Sequence, residues 1–144
     1  MTDEPNTGTL MFVAHRAAET RVYEALRAAG FEDLTLAQAR IAQRLRPSGI
    51  RITELAEQAR VTKQTAGALV DELANNGYVV RRPDPQDARA RLVMLSARGR
   101  RLCAAAAEEV AKVEAEWRNH LGARTYQQLH AALVSLREIT DPYR

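Results

Sequence analysis

The sequence predicts a mostly helical chain with one small β-hairpin in its second half. Three observations carry that expectation. Residues 62–75 place Ala66, Leu69, Val70 and Leu73 at helical spacing behind Thr62, a hydroxyl residue able to satisfy a free backbone N–H in the first turn. Two β-prone runs follow, Tyr78-Val79-Val80 and Leu92-Val93-Met94-Leu95, separated by a Pro83-Asp84-Pro85 break that reads as the start of a rigid loop. Apolar stripes recurring every three or four residues occupy both ends of the chain, over 10–29 and 102–121.

The elements can be justified in order. Residues 1–8 are expected to be a loose arm. Leu10, Val13, Ala14, Ala17, Ala18, Val22, Ala25, Leu26 and Ala29 then form a helical stripe that Gly30 closes. Thr35 stands three residues before Gln38, the spacing of a capping box, and opens a second helix that Arg46-Pro47-Ser48-Gly49 should end. Ile52 to Ala59 is expected as a short third helix capped by Thr53, with Leu55 and Ala56 facing inward. Only Arg60-Val61-Thr62 separates it from the 62–75 helix, which matches helix-turn-helix spacing. Asn76-Gly77 could pass for a hairpin turn, but helical periodicity before it marks Gly77 as a helix stop. Ser96 is expected to cap a helix running to about His120. Gly122 breaks it, and a last helix covers about Arg124 to Ile139.

At 144 residues, with 46% hydrophobic and 27% charged residues, the chain has the length and composition of one globular domain. It has no apolar run of membrane-spanning length, and its start, MTDEPNTGTL, is unlike a secretory signal, so a cytoplasmic location is expected. A single cysteine, Cys103, excludes an intrachain disulfide and is expected to be a buried structural residue rather than a redox sensor. His15, His120 and His130 have no ligand spacing, so no metal or other cofactor is expected. No G-x-S-x-G, phosphate-cradling glycine loop or H-E-x-x-H occurs, which argues against an enzyme.

The net charge is only +3, but nine basic and four acidic residues fall between Arg60 and Arg101. That excess coincides with the helix and hairpin, where a phosphate-binding face would need it. A polar-fronted helix followed by a hairpin carrying arginines is the layout of a winged helix-turn-helix. On this reading Gln64 could pair with adenine in a major groove, and Lys63 with guanine or a phosphate. Thr65 could meet a phosphate or a thymine methyl. Arg89, expected at the hairpin tip, suits the negative potential of a narrow minor groove. Arg81, Arg82 and Arg91 lie along the hairpin strands, some to touch phosphates and some to be solvated. Each of these residues could also be ordinary surface polarity. The terminal helices carry more apolar stripe than a small monomer needs, which a symmetric dimer would absorb.

Over nearly its full length the chain resembles the MarR family of bacterial transcriptional regulators. The resemblance rests on LTLAQARIAQRL (34–45), on ITELAEQARVTKQTAGALVDELANNGYVVRRPDPQDARARLVMLSARGR (52–100), and above all on the Asp-Pro-x-Asp-x-Arg hairpin followed by LVMLSARG. It implies one MarR-type domain over 1–144. Within it, 33–99 would be a winged helix-turn-helix DNA-binding lobe, and 9–32 with 100–144 a helical dimerisation region. It also implies a homodimeric repressor that binds a pseudo-palindromic operator in double-stranded DNA and is released by a small, often aromatic, effector. By position the groove role falls to Thr62, Lys63, Gln64, Thr65, Gly67 and Ala68, the wing role to Arg89, and the role of the acid that orients it to Asp87. Gly67-Ala68 stands where many relatives have a serine-arginine pair, and Ala88 where an arginine is common. Gly67 inside a helix is expected to permit close approach of DNA or of a neighbouring helix. Polar effector-pocket residues are guessed as His15, Arg16 and Arg40. Two other readings remain open: a constitutive or weakly specific architectural DNA-binding protein, and a winged-helix module for protein interaction.

Overall fold

A computed structural model describes residues 3–144. The described chain holds six helices and one two-stranded antiparallel sheet: α1 (Thr7–Ala28), α2 (Leu36–Ala42), α3 (Ile52–Ala59), α4 (Lys63–Asn75), β1 (Val79–Asp84), β2 (Asp87–Leu95), α5 (Ala97–Leu121) and α6 (Ala123–Thr140). It forms two compact units, one up to Ala107 and one over Glu108–Arg144. None of these helices is long and apolar enough to cross a membrane.

The first unit is built on a core of buried aliphatic side chains and one tyrosine. Leu34, Ile41, Leu55, Val70, Leu73 and Tyr78 are each at most 1% exposed and belong to one continuous cluster. α4 supplies the centre of it. Ala66, Val70 and Leu73 are buried at the expected spacing, while Lys63, Gln64, Thr65, Ala68 and Asp71 are exposed. Thr62 caps this helix as expected, its hydroxyl accepting from the Thr65 N–H at 3.0 Å. Gly77 ends it with φ of 79°, a left-handed conformation that a glycine adopts without steric cost. The Thr35–Gln38 capping box forms in both directions, and the Gln38 amide also donates to Glu72 at 2.8 Å, tying α2 to α4. Ser96 opens α5 by accepting from the Gly99 N–H at 3.1 Å.

Several expectations are corrected. The segment taken for a loose arm turns helical at Thr7, because the Asn6 side chain accepts from the Thr9 N–H at 2.9 Å and caps α1; residues 1 and 2 lie outside the described residues. Thr53 is not a cap. It sits inside α3, whose N-cap position is Arg51 without a side-chain bond. α2 stops at Ala42, before the Arg46-Pro47 signal, as Arg44 and Leu45 donate three residues back to Ile41 and Ala42 and tighten the chain into turns. Pro83 and Asp84 belong to β1 rather than to a loop. Pro83 pairs with Arg91 in a hairpin of only two strands, where a missing N–H is tolerated at an edge. The connection is the two residues Pro85-Gln86. Arg89 therefore lies on β2, within a register irregularity between the Pro83–Arg91 and Asp84–Asp87 pairs, rather than at the apex. No protein atom beyond the helix's own backbone lies within 4 Å of a Cβ built on Gly67, so no neighbouring helix requires that glycine. Cys103 is half-buried rather than buried, and burial pushes its thiol up.

One link was not expected. Ile50 forms a two-way bridge with Val93, with N–H to carbonyl distances of 3.1 and 2.8 Å, and fastens the α2–α3 connection to the root of the hairpin.

In the second unit, Val113 and Tyr126 are buried and the Arg118 guanidinium lies 4.8 Å from the Tyr126 ring centroid. Trp117 is half-buried. Leu129, Leu133, Val134 and Ile139 on α6 remain exposed, Ile139 at 84%.

Candidate nucleic-acid interface

The arginines of the first unit sort into two groups by what they touch. One group is engaged within the protein. Arg40 holds Glu19 through two bonds of 3.0 and 2.8 Å, Arg46 pairs with Glu54, Arg51 with Asp84, Arg81 with Asp71, and Arg98 with Asp33. Among the described residues, Arg60, Arg82, Arg89 and Arg91, together with Lys63, are exposed and make no ion pair or side-chain hydrogen bond, and the same holds for Arg16 and Arg101. The first five lie in the helix-turn-helix or the hairpin, Arg16 on α1 and Arg101 on α5. An exposed cation with no internal partner is free to meet an external anion.

The front of α4 is shaped by its cap. The Thr62 hydroxyl accepts from the Thr65 N–H and donates to the Thr65 hydroxyl oxygen at 2.9 Å. Lys63, Gln64 and Thr65 follow on the exposed first turn, where unsatisfied N–H groups and the helix dipole favour negative charge. Gly67 and Ala68 leave the next turn flat. Of the arginines expected on the strands, Arg82 and Arg91 are exposed, whereas Arg81 is half-buried and spent on Asp71.

Two carboxylates shape the hairpin end. Asp84 accepts from the Gln86 N–H at 2.9 Å, and its other oxygen takes Arg51 at 2.9 and 2.6 Å. The Gln86 N–H and then Arg51 hold the Asp84 carboxyl below its usual range. Asp87 accepts from the backbone N–H of Arg89 at 3.0 Å. It thus fixes the chain that carries Arg89, where a bond to the guanidinium had been implied.

The three guessed effector residues come together. His15, Arg16 and Arg40 line a cleft of about 370 Å³ between α1 and α2, with Phe12, Glu19, Gln43 and Arg44. This volume lies within the range of small-molecule sites. Glu19 is the only carboxylate of the lining, and its bond to Arg40 holds its pKa below the usual value. The Arg16 guanidinium lies 5.6 Å from the Phe12 ring centroid. Arg44 Nε is buried without a hydrogen-bond partner, a polar group at some energetic cost. The missed residues had a sequence signal: Phe12, His15, Arg16 and Glu19 follow one helix face at i, i+3, i+4 and i+7, and Arg40, Gln43 and Arg44 share another.

A further cluster also escaped the sequence. The Tyr78 hydroxyl donates to Asp33, Arg98 donates to Asp33 at 3.0 Å, and the Arg98 guanidinium lies 4.2 Å from the Tyr78 ring centroid. Arg98 also donates to the Asn76 carbonyl oxygen. The α1–α2 connection, the end of α4 and the start of α5 are joined there. Among the described residues no group of three or more His, Cys, Asp or Glu could hold a metal ion.

A helix-turn-helix with a two-stranded wing and unpartnered cations on both defines the class, a winged helix-turn-helix protein. Residues 32–90 match the sequence profile of the MarR family. The fold is shared by MarR from E. coli in its apo form, at 24% identity and a TM-score of 0.73 over 94% of this chain and 98% of that one. It is shared by the Mycobacterium tuberculosis MarR family protein Rv2887, solved with salicylic acid, at 28% identity and 0.69 over 94% and 99%. A mutant E. coli MarR solved with operator DNA matches at 24% identity and 0.68 over 90% and 91%. A sequence search of curated proteins gives no significant match. Residues 32–90 therefore resemble the MarR family of transcriptional regulators, and nearly the whole chain shares the fold of its solved members.

Proposed function

We propose that the chain is a homodimeric, sequence-specific DNA-binding repressor released by a small aromatic acid. The observation that carries the DNA reading is the placement of unpaired cations: Lys63 on α4, and Arg82, Arg89 and Arg91 on the wing. In this reading the α4 front, Thr62 to Ala68, enters a major groove and Arg89 reaches the adjacent minor groove. Asp87 sets the backbone that carries Arg89. Arg82 and Arg91 meet phosphates, and Arg81 supports the wing through Asp71. The structure of an E. coli MarR mutant with operator DNA supports the same use of this fold.

The lobe over 33–99 would then be held in register by a dimerisation region from 9–32 and 100–144. Support comes from large apolar side chains that are exposed among the described residues, Phe12 and Val13 on α1 and Leu133, Val134 and Ile139 on α6. A second copy is the economical cover, and it would set two half-sites about 34 Å apart.

The α1–α2 cleft supplies the effector reading. Four basic side chains surround one carboxylate, beside an aromatic ring and the unsatisfied Arg44 donor. A small aromatic carboxylate offers both chemistries required, and salicylic acid is the ligand solved with the Mycobacterium tuberculosis relative. Such a ligand can act only through unequal affinity for the DNA-binding and non-binding geometries.

The test is a footprint on DNA flanking the chain's own gene, with and without salicylate, followed by titration of Arg89→Ala. The variant should lose about 1–3 kcal/mol of operator affinity. Unchanged affinity at physiological salt removes Arg89 from the interface. The flat turn at Gly67-Ala68 favours one rival, a weakly specific DNA-binding protein. Competition with random DNA decides, since a specific reader should favour its site by at least about a thousandfold.

A further inference from the structure

Among the described residues, the turn between α3 and α4 holds the one non-glycine residue with a left-handed backbone. Arg60 caps α3 at φ 58° and ψ 41°, the left-handed region. Among the described residues every other positive-φ position is a glycine: Gly30, Gly49, Gly77 and Gly122. A Cβ is disfavoured in this conformation, and glycine is the residue that commonly fills such a helix-ending position. The fold gains nothing visible from the arginine side chain, which is exposed and has no ion pair, hydrogen bond or ring contact. It stands two residues before Thr62 and three before Lys63, so it adjoins the N-terminal end of α4.

We propose that Arg60 is a phosphate-binding residue of the DNA interface, gripping the backbone strand that borders the groove α4 enters. The proposal rests on the DNA-binding reading above and adds a contact to it. The reasoning is one of balance. A local backbone preference is overridden at an exposed turn, and the override places a permanent, unpartnered cation beside the first turn of α4. In a helix-turn-helix the helix preceding the reader crosses the phosphate backbone, and Arg60 stands at the joint between that helix and the reader. A guanidinium there neutralises a phosphate without reading a base.

The experiment uses the full chain and a random-sequence duplex long enough for two half-sites, because a phosphate contact is indifferent to sequence. Binding is measured across a salt series for the wild type, Arg60→Gly and Arg60→Lys, with thermal unfolding in parallel. Arg60→Gly should keep or raise the unfolding midpoint and bind more weakly, with the slope of log K against log salt reduced by about 1.8 for the two phosphates lost per dimer. Arg60→Lys should retain the slope. If the wild type binds with a steep salt slope and Arg60→Gly matches it in slope and affinity, Arg60 lies off the interface and the proposal fails alone. If the wild type shows no salt-dependent binding, the DNA-binding reading fails and takes this contact with it.

Discussion

Arg51 and Asp84, 33 residues apart, are joined by two hydrogen bonds of 2.9 and 2.6 Å onto one carboxylate oxygen. Arg51 precedes the first turn of α3, and Asp84 is the last residue of β1. The helix-turn-helix therefore braces the far end of the wing. Replacing Arg51 with alanine should free the hairpin end while leaving the unfolding midpoint nearly unchanged. Amide hydrogen exchange is the check: faster exchange from Gln86 through Arg91 is expected, with α4 amides protected as in the wild type.

The Tyr78–Asp33 bond should make stability depend on pH at both extremes. The Tyr78 hydroxyl, then Arg98, hold the Asp33 carboxyl below its ordinary value. Its stabilisation is thus present above about 3.9, the ordinary aspartate pKa, and is lost as pH falls through the lower folded value. Burial, then the bond to Asp33, push Tyr78 up to about 12. Its stabilisation is complete below about 10, the ordinary tyrosine pKa, and is lost as pH rises from there through the folded value of about 12. A rapid absorbance titration should show a tyrosinate step near pH 12 that Tyr78→Phe removes, and Asp33→Asn should narrow its stability deficit as the medium is acidified.

Gly99 is held by close approach rather than by a special backbone angle. A Cβ there would stand 2.1 Å from the Tyr78 carbonyl oxygen and 2.9 Å from Leu95 Cδ2. Gly99→Ala must displace the start of α5 from the Tyr78 backbone that leads into β1. Overpacking of this kind costs about 1–3 kcal/mol, and contact with backbone favours the upper part of that range. Chemical denaturation at constant slope reads it directly.

Gly67 should behave in the opposite way. Its added Cβ would meet open space, so Gly67→Ala should stabilise the helix by about 1 kcal/mol. If DNA approaches that face closely, the same variant binds duplex more weakly although it is more stable. A gain in both would mean that the flat turn has no bearing on binding.

The parts legible in the sequence are those governed by neighbours along the chain. The Thr62 cap, the α4 stripe and the Gly77 stop all depend on spacings of a few residues, and all stand where they were expected. The α3 cap misled for a related reason. Thr53 offers a capping hydroxyl, yet Ile52 is already inside the helix and packs against the core, which moves the start back to Arg51. The cleft was partly legible, since helix periodicity places His15 and Arg16 on one face, but only the packing of α2 against α1 brings Arg40 to Glu19. Arg98 reaches Asp33 across 65 residues and Arg51 reaches Asp84 across 33. No local pattern reports such pairs, and these contacts decide which arginines are occupied and which are free.

The Arg81–Asp71 pair ties the first wing strand to the exposed face of α4. Hairpin and helix are consequently coupled in their aim, like the two prongs of one fork. In the homodimer proposed above, an effector would then move each fork as a unit, and the spacing between the two forks would be the quantity it regulates.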